Sequence, residues 1–427
     1  MPLSIPSSLQ SALTRPIAIF GDGLSGQGVL AVLRQLGATA VIYDQKGNQF
    51  TAQKTESHTL VVFSPGFAPN HPWLVTACEA GLECMGELDF AALFWRGRVI
   101  GITGTNGKTT LTEFLTHALR QRWEPAHAVG NIGRPFTRLV ADTAGGTKED
   151  MAICEVSSFQ AETIQHFKAE AVLWTNFAED HLDRHPTMES YMNAKWHLIT
   201  RTSEDTVFVA RSVYAQARKF NLQLPMSAWI DTAVAAPNPK LAGTVFGEYP
   251  QRENFLLAAA WWQHAKLPLD DLYAAAKSFR LGRHRMARVA EIAGVTFWND
   301  SKATNFHAVE SALGRFAEPV NLILGGRPKG GDLGGFIGRI ASRVRRLFLI
   351  GETTEILATA SATHGVPHLA CATLESALEQ AFASARSGGN VVFSPGFASF
   401  DMFRSYEDRG DQFEHLVQEL GKRPNLR

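Results

Sequence analysis

The stretch "GITGTNGKTT", Gly101–Thr110, decides the fold. Val99–Thr103 is a short apolar run that reads as a strand. A glycine-rich turn follows. Leu111, Phe114, Leu115, Ala118 and Leu119 then recur at i, i+3, i+4, i+7 and i+8, the stripe of an amphipathic helix. Strand, glycine turn and helix in that order make a phosphate loop, whose amides and positive helix end face one anion. Lys108 is expected at β/γ-phosphate oxygens and the Thr109 hydroxyl on Mg²⁺, with Gly104, Thr105, Asn106, Gly107 and Thr110 around the phosphate chain. The usual spacing has glycine where Ile102 stands; here glycines fall at 101, 104 and 107, so the loop is a variant.

Working outward, β-branched runs alternate with amphipathic stretches, the pattern of α/β layers on parallel sheets. A chain of 427 residues exceeds one ordinary core. Three α/β domains are expected: residues 1–92, Rossmann-like; 93–281, the phosphate-loop domain; and 282–427, again Rossmann-like. A looser region is expected over 231–250, and a closing helix over Asp411–Leu420.

Composition excludes several classes. With 45% apolar and 19% charged residues the chain is globular rather than disordered. Lys+Arg and Asp+Glu are both 41, which argues against a generic binder of nucleic acid or anionic membrane. No apolar run suffices to span a bilayer, and "MPLSIPSSLQSALTRP" lacks the pattern of a signal peptide. Cys78, Cys84, Cys154 and Cys371 show no CxxC spacing and read as reduced thiols, so a cytoplasmic protein is expected.

Further motifs stand where strands end, the ligand side of such sheets. "FGDGLSGQG", with Gly21, Gly23 and Gly26, and Asp44 closing the next strand, reads either as a nucleotide turn or as a plain tight turn. "ICEVSSFQAE" ends a strand at Glu155, an acid suited to Mg²⁺ beside a phosphate loop. "TNFAEDHLDRH" offers Asp180, His181, Asp183 and His185; a zinc reading lacks the Glu of HExxH. Lys195 lies in a helical stretch and, read alone, is a surface charge. "LGRHRM" (His284, Arg285), "NDSKATN" (Asn299–Asn305) and "GGRPKGGD" (Lys329) add polar turns denser than connections need. The octapeptide "VVFSPGFA" occurs at Val61–Ala68 and at Val391–Ala398, and reads as one strand-and-turn solution used in two domains.

"TGTNGKTT", "NIG", "EVSSFQ", "NFAEDHLDRH", "AKWHLI", "GRHRM", "NDSKATN" and SPxxASxDxFxxxExRG (Ser394–Gly410) occur in this order over most of the chain. Together they resemble the Mur ligases, ATP-dependent amide-bond formers of peptidoglycan precursor synthesis. The last two motifs resemble the D-glutamate-adding branch. The resemblance implies ATP and two Mg²⁺ sites, with Lys108, Thr109, Glu155, His181 and a carbamylated Lys195 (the carbamate derived from CO₂) serving phosphate and metal. It implies Asn254, Arg285, Asp300 and Lys302 at ATP, and Thr304, Lys329, Ser399, Phe400 and Tyr406 at glutamate. It implies Gly23, Leu24, Ser25, Asp44, Ser64, Gly66, Asn131, Ser157 and Gln160 at UDP-N-acetylmuramoyl-L-alanine. A monomer acting on small molecules is expected. The chain departs from the family at Pro250 and Gln251, where His-Asn is usual, and at Phe400 and Tyr406 in the glutamate pocket. The alternatives are a relative adding L-glutamate or another amino acid, and a phosphate-loop ATPase that is no ligase.

Overall fold

Sixteen strands form among the described residues, most of them from short apolar runs. The computed structural model describes residues 3–202, 206–224, 229–230 and 238–423. Residues 231–237 of the expected looser region, and the first two of the N-terminal segment, lie outside them.

The first sheet comprises β1 (Ile17–Phe20), β2 (Ala40–Tyr43), β3 (Leu60–Phe63) and β4 (Glu83–Gly86), in the order β2-β1-β3-β4, all parallel. The second comprises β5 (Arg98–Thr103), β6 (Ala126–Gly130), β7 (Met151–Glu155), β8 (Ala171–Trp174), β9 (Val207–Ala210) and β10 (Trp229–Ile230). Its order is β10-β9-β8-β5-β7-β6, again all parallel. The third comprises β11 (Ala287–Ile292), β12 (Val295–Asn299), β13 (Val320–Gly325), β14 (Val344–Ile350), β15 (His368–Ala370) and β16 (Asn390–Phe393). Its order is β11-β12-β16-β13-β14-β15. This sheet is mixed: β11 runs antiparallel to β12, where the sequence pattern predicts parallel strands. A two-residue turn suffices for an antiparallel neighbour, whereas each parallel pair needs a crossover, supplied here by helices.

Crossover helices cover both faces, so interior strands are apolar on both. In the third sheet Leu322, Leu324, Leu347, Leu349 and Val392 pack on one side with Phe336 and Ile337. Ile323, Phe348, Ile350, Val391 and Phe393 pack on the other with Phe413 and Val417, the alternation a strand imposes. The closing helix spans Tyr406–Lys422, longer than expected, because Ser405 caps it: its Oγ accepts from Asp408 N at 3.2 Å.

The chain forms two compact units, Met1–Phe177 with Glu189–Phe279, and Ala178–Met188 with Arg280–Arg427. Within the first unit, two buried carboxylates of the Glu87–Ala92 helix tie the first sheet to the second. Glu87 Oε1 accepts from Thr137 N and Thr137 Oγ1 at 2.7 and 2.6 Å. Asp89 accepts from Gln165 N, His166 N and Phe167 N at 2.8, 2.9 and 2.8 Å. Among the described residues no helix is long and apolar enough to cross a membrane.

Candidate active site

The phosphate loop leaves β5 at its carboxyl end and is held from the segment after β8. Asn176 O accepts from Thr105 N at 3.1 Å, and Asn176 Oδ1 from Asn106 N at 2.9 Å. Thr175 Oγ1 donates to Asn106 O at 2.5 Å. Gly104, at φ +144°, would place a Cβ 1.9 Å from Thr175 Oγ1, so no side chain fits there. Gly107, at φ +83°, passes under Asn254, whose Oδ1 would lie 2.7 Å from a Cβ. Asn254 Nδ2 donates to Gln251 Oε1 at 2.8 Å, so the unusual Gln251 orients Asn254. Lys108 Nζ donates to Gly104 O and Thr105 O at 2.9 and 2.8 Å and thus lies along the loop. Thr109 and Thr110 follow in the first turn of the Lys108–Gln121 helix.

Glu155 ends β7, beside β5 in the register Ile102↔Glu155. It is buried. Oε1 accepts from Asn131 Nδ2 at 3.1 Å, while Oε2 has no hydrogen-bond partner among the described residues. A buried carboxylate oxygen left so is costly unless a cation or water meets it. Lys195, on the Met188–Ile199 helix, is 1% exposed, which sets aside the surface-charge reading. Its Nζ donates to Thr103 Oγ1 at 3.4 Å and Gly104 O at 3.1 Å, and lies over the Tyr191 ring. Lys108, Thr109, Glu155, Asn131, Lys195 and Asn254 therefore gather around one end of one sheet. Ser157 and Gln160 close a capping box on the Ser158–Ala161 helix, Gln160 N donating to Ser157 Oγ at 3.2 Å and Ser157 N to Gln160 Oε1 at 3.0 Å.

In the first sheet Gly23 and Gly66 face open space, with no heavy atom within 4 Å of where a Cβ would stand, and Leu24 is exposed beside Ser25. Ser64 Oγ is buried without a hydrogen-bond partner among the described residues. Asp44 is engaged by its own turn: Asp22 N and Lys46 N donate to it at 3.1 and 3.0 Å. The Lys46 and Asp22 amides hold its carboxyl below the usual range.

The second unit carries the remaining candidates. His181 (φ 56°) lies in its Ala178–Met188 segment. Arg285 sits between two left-handed residues, His284 (φ 60°) and Met286 (φ 48°). Asp300 accepts from Met286 N at 3.1 Å and Ser394 Oγ at 2.8 Å. Burial pushes its carboxyl up to about 7, against the pull of Ser394, Met286 N, Arg285 and Arg315. Lys302 Nζ lies 3.7 Å from the centroid of the Tyr406 ring. Lys329 Nζ donates to Thr304 Oγ1 at 3.4 Å. Ser399 is buried, Phe400 exposed. Thr304 thus meets Lys329, whereas Tyr406 meets Lys302. Arg409 belongs to the last sequence motif, which assigns it no role. It is buried, and its guanidinium donates to Ser301 Oγ, Ser301 O and Phe397 O at 3.0, 2.8 and 3.1 Å, tying "NDSKATN" to the second "SPGFA" turn. Burial pulls its pKa down to about 10. Thr175 and Asn176 hold the phosphate loop, a part that sequence reasoning misses; only their place just after β8 signals it.

A phosphate loop flanked by a buried acid and a buried lysine at the ends of parallel strands defines a phosphate-handling α/β enzyme. Residues 102–238 match the Mur ligase middle domain, and residues 284–397 the glutamate ligase domain of Mur ligases. A UDP-N-acetylmuramoylalanine–D-glutamate ligase of Thermoanaerobacter pseudethanolicus is 31% identical over 95% of this chain and 98% of its own. One from Solibacter usitatus is 36% identical over 86% of each. A MurF ligase of Thermotoga maritima, solved in complex with ADP, shares the fold at a TM-score of 0.55, with 14% identity over 84% of this chain and 95% of its own. The chain belongs to the Mur ligase family, ATP-dependent enzymes that form amide bonds.

Proposed function

We propose that this enzyme adds D-glutamate to UDP-N-acetylmuramoyl-L-alanine in peptidoglycan precursor synthesis, consuming ATP. The γ-phosphoryl group passes to the alanyl carboxylate, giving ADP and an acyl phosphate. The glutamate nitrogen attacks the acyl carbon, loses a proton, and the tetrahedral intermediate collapses with release of phosphate. Two anions meet in the first step, so cationic groups must offset charge as it develops. The observation that carries the reading is the buried Glu155 oxygen, without a hydrogen-bond partner among the described residues, beside the phosphate loop. It stands in a chain with full-length D-glutamate ligase relatives.

We assign Lys108 and the loop amides of residues 104–110 to ATP phosphates, Asn254 to the nucleotide, and Arg285, Asp300 and Lys302 to ATP. Thr109 and Glu155 fit one Mg²⁺, since Glu155 offers a buried oxygen that no described donor meets. His181 and Lys195 are assigned to a second. Lys195 suits carbamylation: a buried ammonium beside a cation site would repel the cation, whereas a carbamate would ligate it. Bound Mg²⁺ would supply charge neutralisation during phosphoryl transfer. Gly23, Leu24, Ser25, Asp44, Ser64, Gly66, Asn131, Ser157 and Gln160 are assigned to the UDP substrate, and Thr304, Lys329, Ser399, Phe400 and Tyr406 to glutamate. The three-domain division at 92 and 281, with Rossmann-like outer domains, is supported by the three separate sheets. We take the enzyme to act as a cytoplasmic monomer.

The test is phosphate release and product mass with Mg·ATP, UDP-N-acetylmuramoyl-L-alanine and either glutamate enantiomer. Release that requires the D-enantiomer is expected; release indifferent to both substrates would sink the ligase reading.

A further inference from the structure

Asp180 takes no part in the assignments above, yet it stands in a cleft whose lining includes Thr304, Asn305, Lys329, Gly396 and Phe397. Every one of these residues belongs to the second unit. The carboxylate is 7% exposed and its rotamer is held from two sides. Asn305 Nδ2 donates to Oδ2 at 3.0 Å, and His181 N donates to Oδ1 at 2.9 Å. Asn305 is itself fixed as a helix cap, its Oδ1 accepting from Ala308 N at 2.9 Å. The neighbouring Glu179 Oε1 accepts from Asp332 N at 3.2 Å, which pins the segment to the Lys329 loop. Lys329 Nζ stands 3.6 Å from Asp180 Oδ1, an ion pair beyond hydrogen-bond length.

We propose that Asp180 anchors the ammonium group of the incoming amino acid and determines that the acceptor is an α-amino acid. The proposal deepens the ligase reading and rests on it. An amino acid carries its ammonium nitrogen and carboxylate oxygen on one carbon, roughly 3 Å apart. Asp180 and Lys329 present the complementary acid and base 3.6 Å apart at the same cleft. With the substrate carboxylate on Lys329, its ammonium falls to Asp180. A dicarboxylate of the same length without the amine would draw Lys329 from Asp180 and bring no cation in exchange, and binds poorly for that reason.

The test uses the full-length enzyme, D-glutamate, and glutarate as its des-amino analogue. In the unmodified enzyme glutarate should inhibit with a constant at least about 10-fold above the KM for D-glutamate, the worth of one charge-assisted contact. In Asp180→Asn the KM for D-glutamate should rise about 10-fold or more, while glutarate inhibits as well as before or better. Equal weakening of glutamate and glutarate would reduce Asp180 to a strap and overturn the proposal, as would an unchanged KM. Should the variant not fold, equal binding of the two ligands by the unmodified enzyme overturns it alone. If another amino acid is used in place of D-glutamate, the ligase reading needs correction, and that amino acid with its own des-amino analogue decides Asp180.

Discussion

Replacing Asp300 by Asn should stabilise the second unit at neutral pH and leave it unchanged in mild acid. Burial raises the Asp300 carboxyl from 3.8 to about 7 in the fold. Below about pH 4 both folded and unfolded chains hold the proton, and the group is neutral to stability. Between about 4 and 7 the unfolded chain releases it while the folded one keeps it, so stability falls with rising pH. At about 1.4 kcal/mol per unit over roughly three units, the ionised side chain costs about 4 kcal/mol at pH 8. Asn keeps one acceptor for Met286 N or Ser394 Oγ and forfeits the other, about 1 kcal/mol. The variant should therefore match the parent near pH 5 and exceed it by about 3 kcal/mol at pH 8.

With two compact units a single unfolding midpoint is ill defined. Hydrogen exchange of peptides covering β12 and β16, measured in increasing urea, reads the opening free energy of the unit that holds Asp300. A difference that stays flat between about pH 4.5 and 8, or that grows toward acid, would refute the reasoning. The expected result would make Asp300 a residue kept at a cost in stability, as functional carboxylates often are.

Gly104→Ala puts a Cβ 1.9 Å from Thr175 Oγ1 and should cut ATP-dependent phosphate release by about 100-fold or more. Gly23→Ala meets no atom within 4 Å, so hydrogen exchange over β1 should not move while the KM for the UDP substrate rises; an unchanged KM would count against that subsite. Lys195→Ala should abolish turnover, with partial recovery on adding short carboxylic acids; full activity in the variant would remove a carbamate from the mechanism.

The motifs carrying chemistry are legible because each sits at a strand end, where local pattern and ligand geometry coincide. The Lys108–Gln121 helix and the closing helix announce themselves by apolar spacing alone. β4 and β6 do not: "ECMG" buries one residue fully, and "AHAVG" mixes His and Gly into the run. The half-exposed β11 is an edge strand whose antiparallel direction is set by the tight turn at Ala293 and Gly294, not by its apolar content. Roles made by distant partners are invisible. Asp89 reaches backbone amides 76 to 78 residues away, and Asp180 meets Asn305 across 125. A sequence scanned locally shows such residues only as loop or helix acids.

The repeated "VVFSPGFA" separates what a peptide encodes from what its surroundings impose. Both copies make an interior parallel strand, β3 between β1 and β4, and β16 between β12 and β13. Both bury the phenylalanine that follows the glycine, Phe67 and Phe397. The turns then differ. Gly396 is left-handed at φ +76°, and a Cβ there would stand 3.1 Å from Val309 Cγ2; Gly66 is not left-handed and faces open space. Ser394 Oγ donates to Asp300, whereas Ser64 Oγ is buried with no hydrogen-bond partner among the described residues. One octapeptide therefore specifies the strand and its aromatic anchor, and the neighbours choose the turn. In the second copy the choice is made by Arg409, which holds Phe397 O, and by Asp300, which holds Ser394. Identity of sequence here goes with two similar strand environments, and does not by itself imply that the two turns meet similar ligands.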